Sequence, residues 1–235
     1  MIAVATTSQS LSLSDRVLAA LSTVVDPELD EPITDLGFVR SVRIQDGNVT
    51  VHLRLPTSFC SPNFAYLMAS DALDALRRVE RIGQVVVQLD DHHDSDKINA
   101  GLAAEAGYVG TFGVEAEQSL DELRGVFHRK AHTAAMERCA EQLLRTTDVT
   151  VDDLHLVTLA DVPEGSPKEA LLRRRATIGL GVGPTERLVV DEEGRALAAE
   201  DVPLRLRFAK SVRISIEGNA HFCRGLLATR YGSTT

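Results

Sequence analysis

The sequence predicts an α/β (α+β) chain: a small α-β-β-α-β domain with a mixed three-stranded sheet, then a mostly helical extension with a few strands. Three observations carry this. Apolar residues recur at helical spacing up to Asp26-Pro27, two alternating β-branched runs flank Asp46-Gly47, and a Ser61-Pro62 helix start leads through Gly83 to a third apolar run.

The elements follow in order. Leu13, Val17, Leu18, Leu21 and Val24 share a helical face, and Ser12 to Asp15 has the form of a capping box. This helix is expected to run to Asp26-Pro27, because the residue before proline is pushed out of helical geometry. Residues Pro27 to Gly37 hold two prolines and four acids and read as a loop. Val39 to Ile44 and Val49 to Leu55 then form a hairpin about Asp46-Gly47, a dipeptide suited to a tight turn. In the second run Val49, Val51, Leu53 and Leu55 face one way, and Thr50, His52 and Arg54 the other. Ser61 reads as an N-cap with Pro62 at the first helical position. Gly83 stops that helix, and Gln84 to Leu89 is the third strand, parallel to the second if the crossover is right-handed.

The polar stretch Asp90 to Asp96 is taken as a solvated boundary, dividing a domain over 12–92 from an extension over 97–235. In the extension a short helix is expected over Ile98 to Gly107, a long one over Glu115 to Arg145 with a break near Gly125, and another about Pro167 to Ala176. Leu188 to Val190 and Leu204 to Ile216 read as strands, with a last helix from Glu217 to Tyr231.

Composition narrows the function. At 235 residues with 44% hydrophobic content, the chain can bury a core without disulfides. Its net charge of −9 repels phosphate backbones and anionic membranes, and the absence of Trp argues against base-stacking platforms. Neither nucleic acid nor membrane is an expected partner. Arg173-Arg174-Arg175 is a local exception, read as the solvated edge of a helix. Three cysteines are too few, and odd in number, for a disulfide framework. The first 14 residues lack a basic start and an apolar run, so a cytoplasmic, reducing location with free thiols is expected.

Cys60 falls at the strand-to-helix turn, just before the N-cap. Unsatisfied N–H groups and the positive helix end favour an anion there, and the thiolate is both nucleophile and metal ligand. Spacing alone leaves an inert buried thiol equally open. The acids Asp26, Glu28, Asp30, Glu31 and Asp35 either solvate the loop or approach Cys60. His92, His93, Asp94 and Asp96 offer nitrogen and oxygen ligands for a second metal site, against the reading of a solvated linker. The glycines at 179, 181 and 183 lack the sequel of a phosphate loop and read as a flexible turn. Cys139 and Cys223 are expected to be structural thiols.

Asp26-Pro27-Glu28-Leu29, then Ile33-Thr34-Asp35-Leu36-Gly37-Phe38-Val39, then Thr57-Ser58-Phe59-Cys60 together resemble the signature of the PaaD/SufT-like iron–sulfur cluster assembly family, over Ser12 to about Asp91. The resemblance implies a non-enzymatic accessory factor in which Cys60 makes a transient contact with iron or an iron–sulfur cluster. Asp26, Glu28, Asp35 and Thr57 would support it. Family members usually carry proline directly after the cysteine. Here Ser61 intervenes, which shifts the helix start by one residue relative to the thiol. Phe59 to Tyr66, Asp96 to Gly101 and Ser215 to Ala220 are similar to larger members encoded beside bacterial soluble diiron alkane monooxygenases. That likeness implies a client metalloenzyme, a diiron monooxygenase component, or the assembly machinery as partner. A metal-free folding adaptor for an oxygenase subunit is the rival reading, and a thiol enzyme without an evident base is a third.

Overall fold

The computed structural model describes residues 11–116 and 119–232. They divide into two compact units, one of residues 11–26, 31–116 and 223–232, the other of 27–30 and 119–222.

The first unit begins with α1 (Leu13–Leu21). Its capping box is closed: Asp15 N–H donates to Ser12 Oγ at 3.1 Å, and Ser12 N–H to the Asp15 carboxylate at 3.2 Å. The helix ends five residues before Asp26. Ser22 and Thr23 turn their hydroxyls back onto the carbonyls of Ala19 and Ala20, each at 2.7 Å, and close it early. Val25–Asp26 (β1) then pairs antiparallel with Glu31–Pro32 (β2), so the expected loop contains a short bridge.

β3 (Val39–Gln45) and β4 (Asn48–Arg54) form the expected hairpin. Asp46 and Gly47 both adopt positive φ, 51° and 81°, which a tight two-residue turn demands. β5 (Val85–Asp90) pairs parallel with β4, from Val49 opposite Val85 to Arg54 opposite Asp90, giving the sheet order β3-β4-β5. Gly83 lets β5 start against the hairpin turn: a Cβ there would lie 2.5 Å from Asn48 Oδ1. Between the strands runs α2 (Pro62–Arg77), with Ser61 as N-cap and Pro62 in the first turn. Val49, Val51, Leu53 and Leu55 are all buried, together with Leu73 and Leu76 of α2 and Val87 and Leu89 of β5. The alternation along β4 is the one its sequence predicts.

The unit runs on past the boundary expected at 92/97. His92 is 6% exposed, which corrects the reading of 90–96 as solvated linker. α3 (Ser95–Ala103) is hooked to β5 by Asn99, whose Oδ1 accepts from Leu89 N–H at 2.8 Å while its Nδ2 donates to Leu89 O at 3.1 Å. α4 (Gly107–Phe112) brings Tyr108 and Phe112 against Tyr66 of α2, with ring centroids 5.1–5.8 Å apart.

The second unit is built on α5 (Leu120–Thr146) and α6 (Ser166–Thr177). α5 passes unbroken through Gly125, where a break was expected. Met136, Cys139, Leu143, Leu154, Leu171 and Leu188 make its core. Of the strand expected over Leu188 to Val190, only isolated bridges form, Thr158 with Arg187 and Val190 with Ala196. Leu204 to Ile216 is not a strand either: α7 is one helix over Val202–Tyr231, whose last residues belong to the first unit. The local alternation Leu204-Arg205-Leu206-Arg207-Phe208 is overridden because Val202, Ala209 and Ile216, seven residues apart, are the buried ones.

Nor is the arginine run a solvated edge. Arg175 is 2% exposed and donates to the carbonyls of Gly181 at 3.1 Å, Arg187 at 2.5 Å and Leu188 at 3.1 Å. Arg174 Nε donates to Asp30 at 2.9 Å. The glycine-bearing turn is thereby pinned to α6 rather than left as a free loop.

Candidate functional site

In a parallel strand pair, both chains leave the sheet at the same end. Because Arg54 lies opposite Asp90, the segment after β4 and the segment after β5 emerge side by side. The first carries Thr57 to Cys60, the second His92 and His93. Clefts beyond the carboxyl ends of parallel strands are the usual place for chemistry in such sheets.

Within the turn Thr57 Oγ1 accepts from Phe59 N–H at 3.2 Å and lies 3.6 Å from Cys60 Sγ. Cys60 is half-buried, one residue ahead of the α2 N-cap. Ser61 supplies no side-chain cap and Pro62 has no N–H, while Phe64 N–H and Ala65 N–H both donate to Ser61 O at 3.0 Å, so the start of α2 beside Cys60 is closed mainly by its own backbone. His92 braces the turn from the other segment: its Nε2 donates to the Cys60 carbonyl at 2.8 Å, while Nδ1 accepts from Asp94 N–H at 3.1 Å. A carbonyl only accepts and an amide N–H only donates, so this pattern specifies the neutral Nε2–H tautomer. His93 N–H donates to Ser58 O at 2.9 Å, and its ring stacks on Phe59 at 6.0 Å. Phe59 is itself 81% exposed beside the thiol.

Of the residues considered as a second metal site, His92 is committed to backbone and the Asp94 carboxylate makes no cap bond to α3. Both ring nitrogens of His92 are bonded to backbone, Asp94 is the N-cap of α3, and Asp96 lies in its first turn. Among the described residues no three His, Cys, Asp or Glu side chains are gathered so as to hold a metal ion. The loop acids are dispersed. Asp26 is buried in β1, which packs on α2, and Asp35 accepts from Thr34 Oγ1 at 3.0 Å. Glu28, grouped with the second unit, accepts from Asn219 at 3.2 Å. Of the residues singled out from sequence, the structure thus brings Thr57, His92 and His93 to the Cys60 turn.

The other thiols differ. Cys139 is fully buried, and burial pushes it up to about 11. Cys223 is half-buried, not the buried thiol expected.

Sequence reasoning missed the bracing role of His92. The signal was present: a histidine just past the last strand of a parallel β-α-β unit falls at the same sheet end as the turn after the preceding strand.

A family profile described as "Iron-sulfur cluster assembly protein" matches residues 14–89, from α1 to the end of β5. The uncharacterised protein MJ1129 of Methanocaldococcus jannaschii is 36% identical over 87 residues, which are 37% of this chain and 90% of that protein. Through this N-terminal region, the chain belongs to the iron–sulfur cluster assembly protein family.

Proposed function

We propose that the chain is an accessory factor that helps assemble an iron or iron–sulfur centre in a client metalloenzyme, with the Cys60 thiol making transient contact with that cargo. The observation that carries this is the braced turn itself, whose Thr57–Cys60 segment lies within the family-matched region. One thiol with a threonine hydroxyl beside it is an incomplete ligand set for iron, so the remaining ligands come from the client or the assembly machinery. Such a site hands cargo on and does not retain it. Thr57 orients the thiol.

The client is proposed to be a soluble diiron monooxygenase component, on the resemblance of Phe59 to Tyr66 and the later segments to larger family members. Recognition is assigned to 97–235. Leu204, Phe208, Ile214 and Phe222 lie exposed in α7, an apolar surface with cationic neighbours Arg207 and Lys210. That surface also suits the rival reading, a folding adaptor without metal chemistry. Among the described residues no helix is long and apolar enough to cross a membrane.

Iron and acid-labile sulfide in anaerobically purified protein, with and without Cys60→Ser, separate the two readings. The assembly role predicts substoichiometric iron that disappears in the variant. Identical content in both proteins favours the adaptor.

A further inference from the structure

We infer that the last two turns of α7 complete the cysteine site and that Arg230 is a positioning residue for the Thr57–Cys60 turn, an inference that rests on reading this turn as the functional one. The family-matched region ends at residue 89, yet the first unit takes in 223–232. Four side chains of one α7 face account for this. Arg224 pairs with Glu31 in β2. Leu227 is 8% exposed and lies against Gly37, where a Cβ would come within 3.2 Å of Leu227 Cδ2; Gly37 also has φ +75°. The glycine that closes the loop before β3 therefore has a steric reason to be glycine as well as a conformational one.

The end of the helix reaches the strand ends that flank the site. Arg230 Nη1 donates to Leu55 O at 3.4 Å and Nη2 to Asp91 O at 2.7 Å. Leu55 immediately precedes the turn bearing Cys60, and Asp91 immediately precedes His92. Asp91 has φ 55°, a left-handed conformation uncommon for a residue with a Cβ, and its side chain accepts from Tyr231 Oη at 3.4 Å. Two cations lie over the Tyr231 ring, Arg54 at 4.7 Å and Arg230 at 5.1 Å.

The two exit segments are consequently tied twice. His92 and His93 tie them directly, through Cys60 O and Ser58 O. Arg230 ties them from behind, one guanidinium bridging both carbonyls. A planar fork with several fixed donors suits that task, and a lysine can supply part of it. Loss of the fork leaves the histidine contacts alone to hold the turn in register, so the turn opens more often while the hairpin and α2 keep their own ladders.

Hydrogen exchange on the full chain tests this with Arg230→Ala and Arg230→Lys. For Arg230→Ala, peptides covering 55–61 and 90–95 should exchange faster by about tenfold, with β3–β4 at the wild-type rate; Arg230→Lys should recover most of the protection. Wild-type exchange in Arg230→Ala overturns the inference. So does a uniform acceleration across the first unit that Arg230→Lys does not repair, since that marks a merely structural tail. Exchange requires no iron, so it reads the clamp independently of the functional reading. An intact clamp around a Cys60 that never affects client iron would defeat only the latter.

Discussion

Cys60 and Cys139 are both thiols next to helical backbone, one in each compact unit, and their surroundings are opposites. Cys60 stands ahead of α2 on a turn held by Thr57 and His92, half open to solvent. Cys139 is mid-α5, among Met136, Leu143 and Leu171, with no exposure. The same contrast extends to the charged groups. In the first unit Arg230 acts at the sheet end, on backbone carbonyls next to the site. In the second they are inside: Arg175, His132 and Glu137 are each under 5% exposed. The comparison teaches that availability of a group is set by which part of an element carries it. A strand exit presents a side chain, whereas a helix middle encloses it.

The largest expected effect is on thiol reactivity. Limited iodoacetamide labelling of the native chain at neutral pH should modify Cys60 faster than Cys139 by at least about a hundredfold, because Cys139 is both protonated and enclosed. Mass spectrometry ranks them, and comparable rates would erase the distinction.

Next is Arg175. Replacing it by Ala leaves the carbonyls of Gly181, Arg187 and Leu188 without this donor inside the core. A loss of about 3 kcal/mol is expected by urea denaturation, in the range for buried polar groups left unsatisfied. A loss below about 1 kcal/mol would show that these bonds are incidental.

Somewhat smaller is a pH effect at His132. Burial, and then Arg175, Arg205 and Arg174, lower it to about 4, and its Nε2 has no hydrogen-bond partner among the described residues. An unfolded histidine titrates near ~6.5, so the unfolded chain takes up the proton first. The stabilisation is complete above that value and is lost as pH falls toward about 4, by about 2–3 kcal/mol. Stability measured across this window should flatten in His132→Phe, and an unchanged slope would place the effect elsewhere.

The smallest stability change should be that of Cys60→Ser, under about 1 kcal/mol by thermal melting, since the half-open turn tolerates a near-isosteric hydroxyl. Unfolding of this variant would move Cys60 to the same class as Cys139.

What could be read from the sequence was local. The Ser12–Asp15 capping box, the Asp46-Gly47 turn, the Ser61-Pro62 helix start and the alternation along β4 each involve neighbours a few residues apart, and all are in the fold. Cys60 was singled out by its strand-to-helix position and Thr57 by the resemblance of Thr57-Ser58-Phe59-Cys60, and their side chains lie 3.6 Å apart. What escaped is long-range. His92 meets a carbonyl 32 residues away, and Arg230 one 139 residues away, contacts that no periodicity encodes. α7 was misread over Leu204 to Ile216 because a five-residue alternation masks a seven-residue spacing of buried positions. Arg175 was misread because charge in a run signals solvent unless carbonyls are waiting to receive it.

The most direct test of the account is the iron content of the client that co-purifies with the full chain, compared between cells carrying wild-type protein and cells carrying Cys60→Ser. The account predicts equal recovery of the client with both, and client depleted of iron only where Cys60 is missing. Client fully loaded with iron in the Cys60→Ser cells would contradict it.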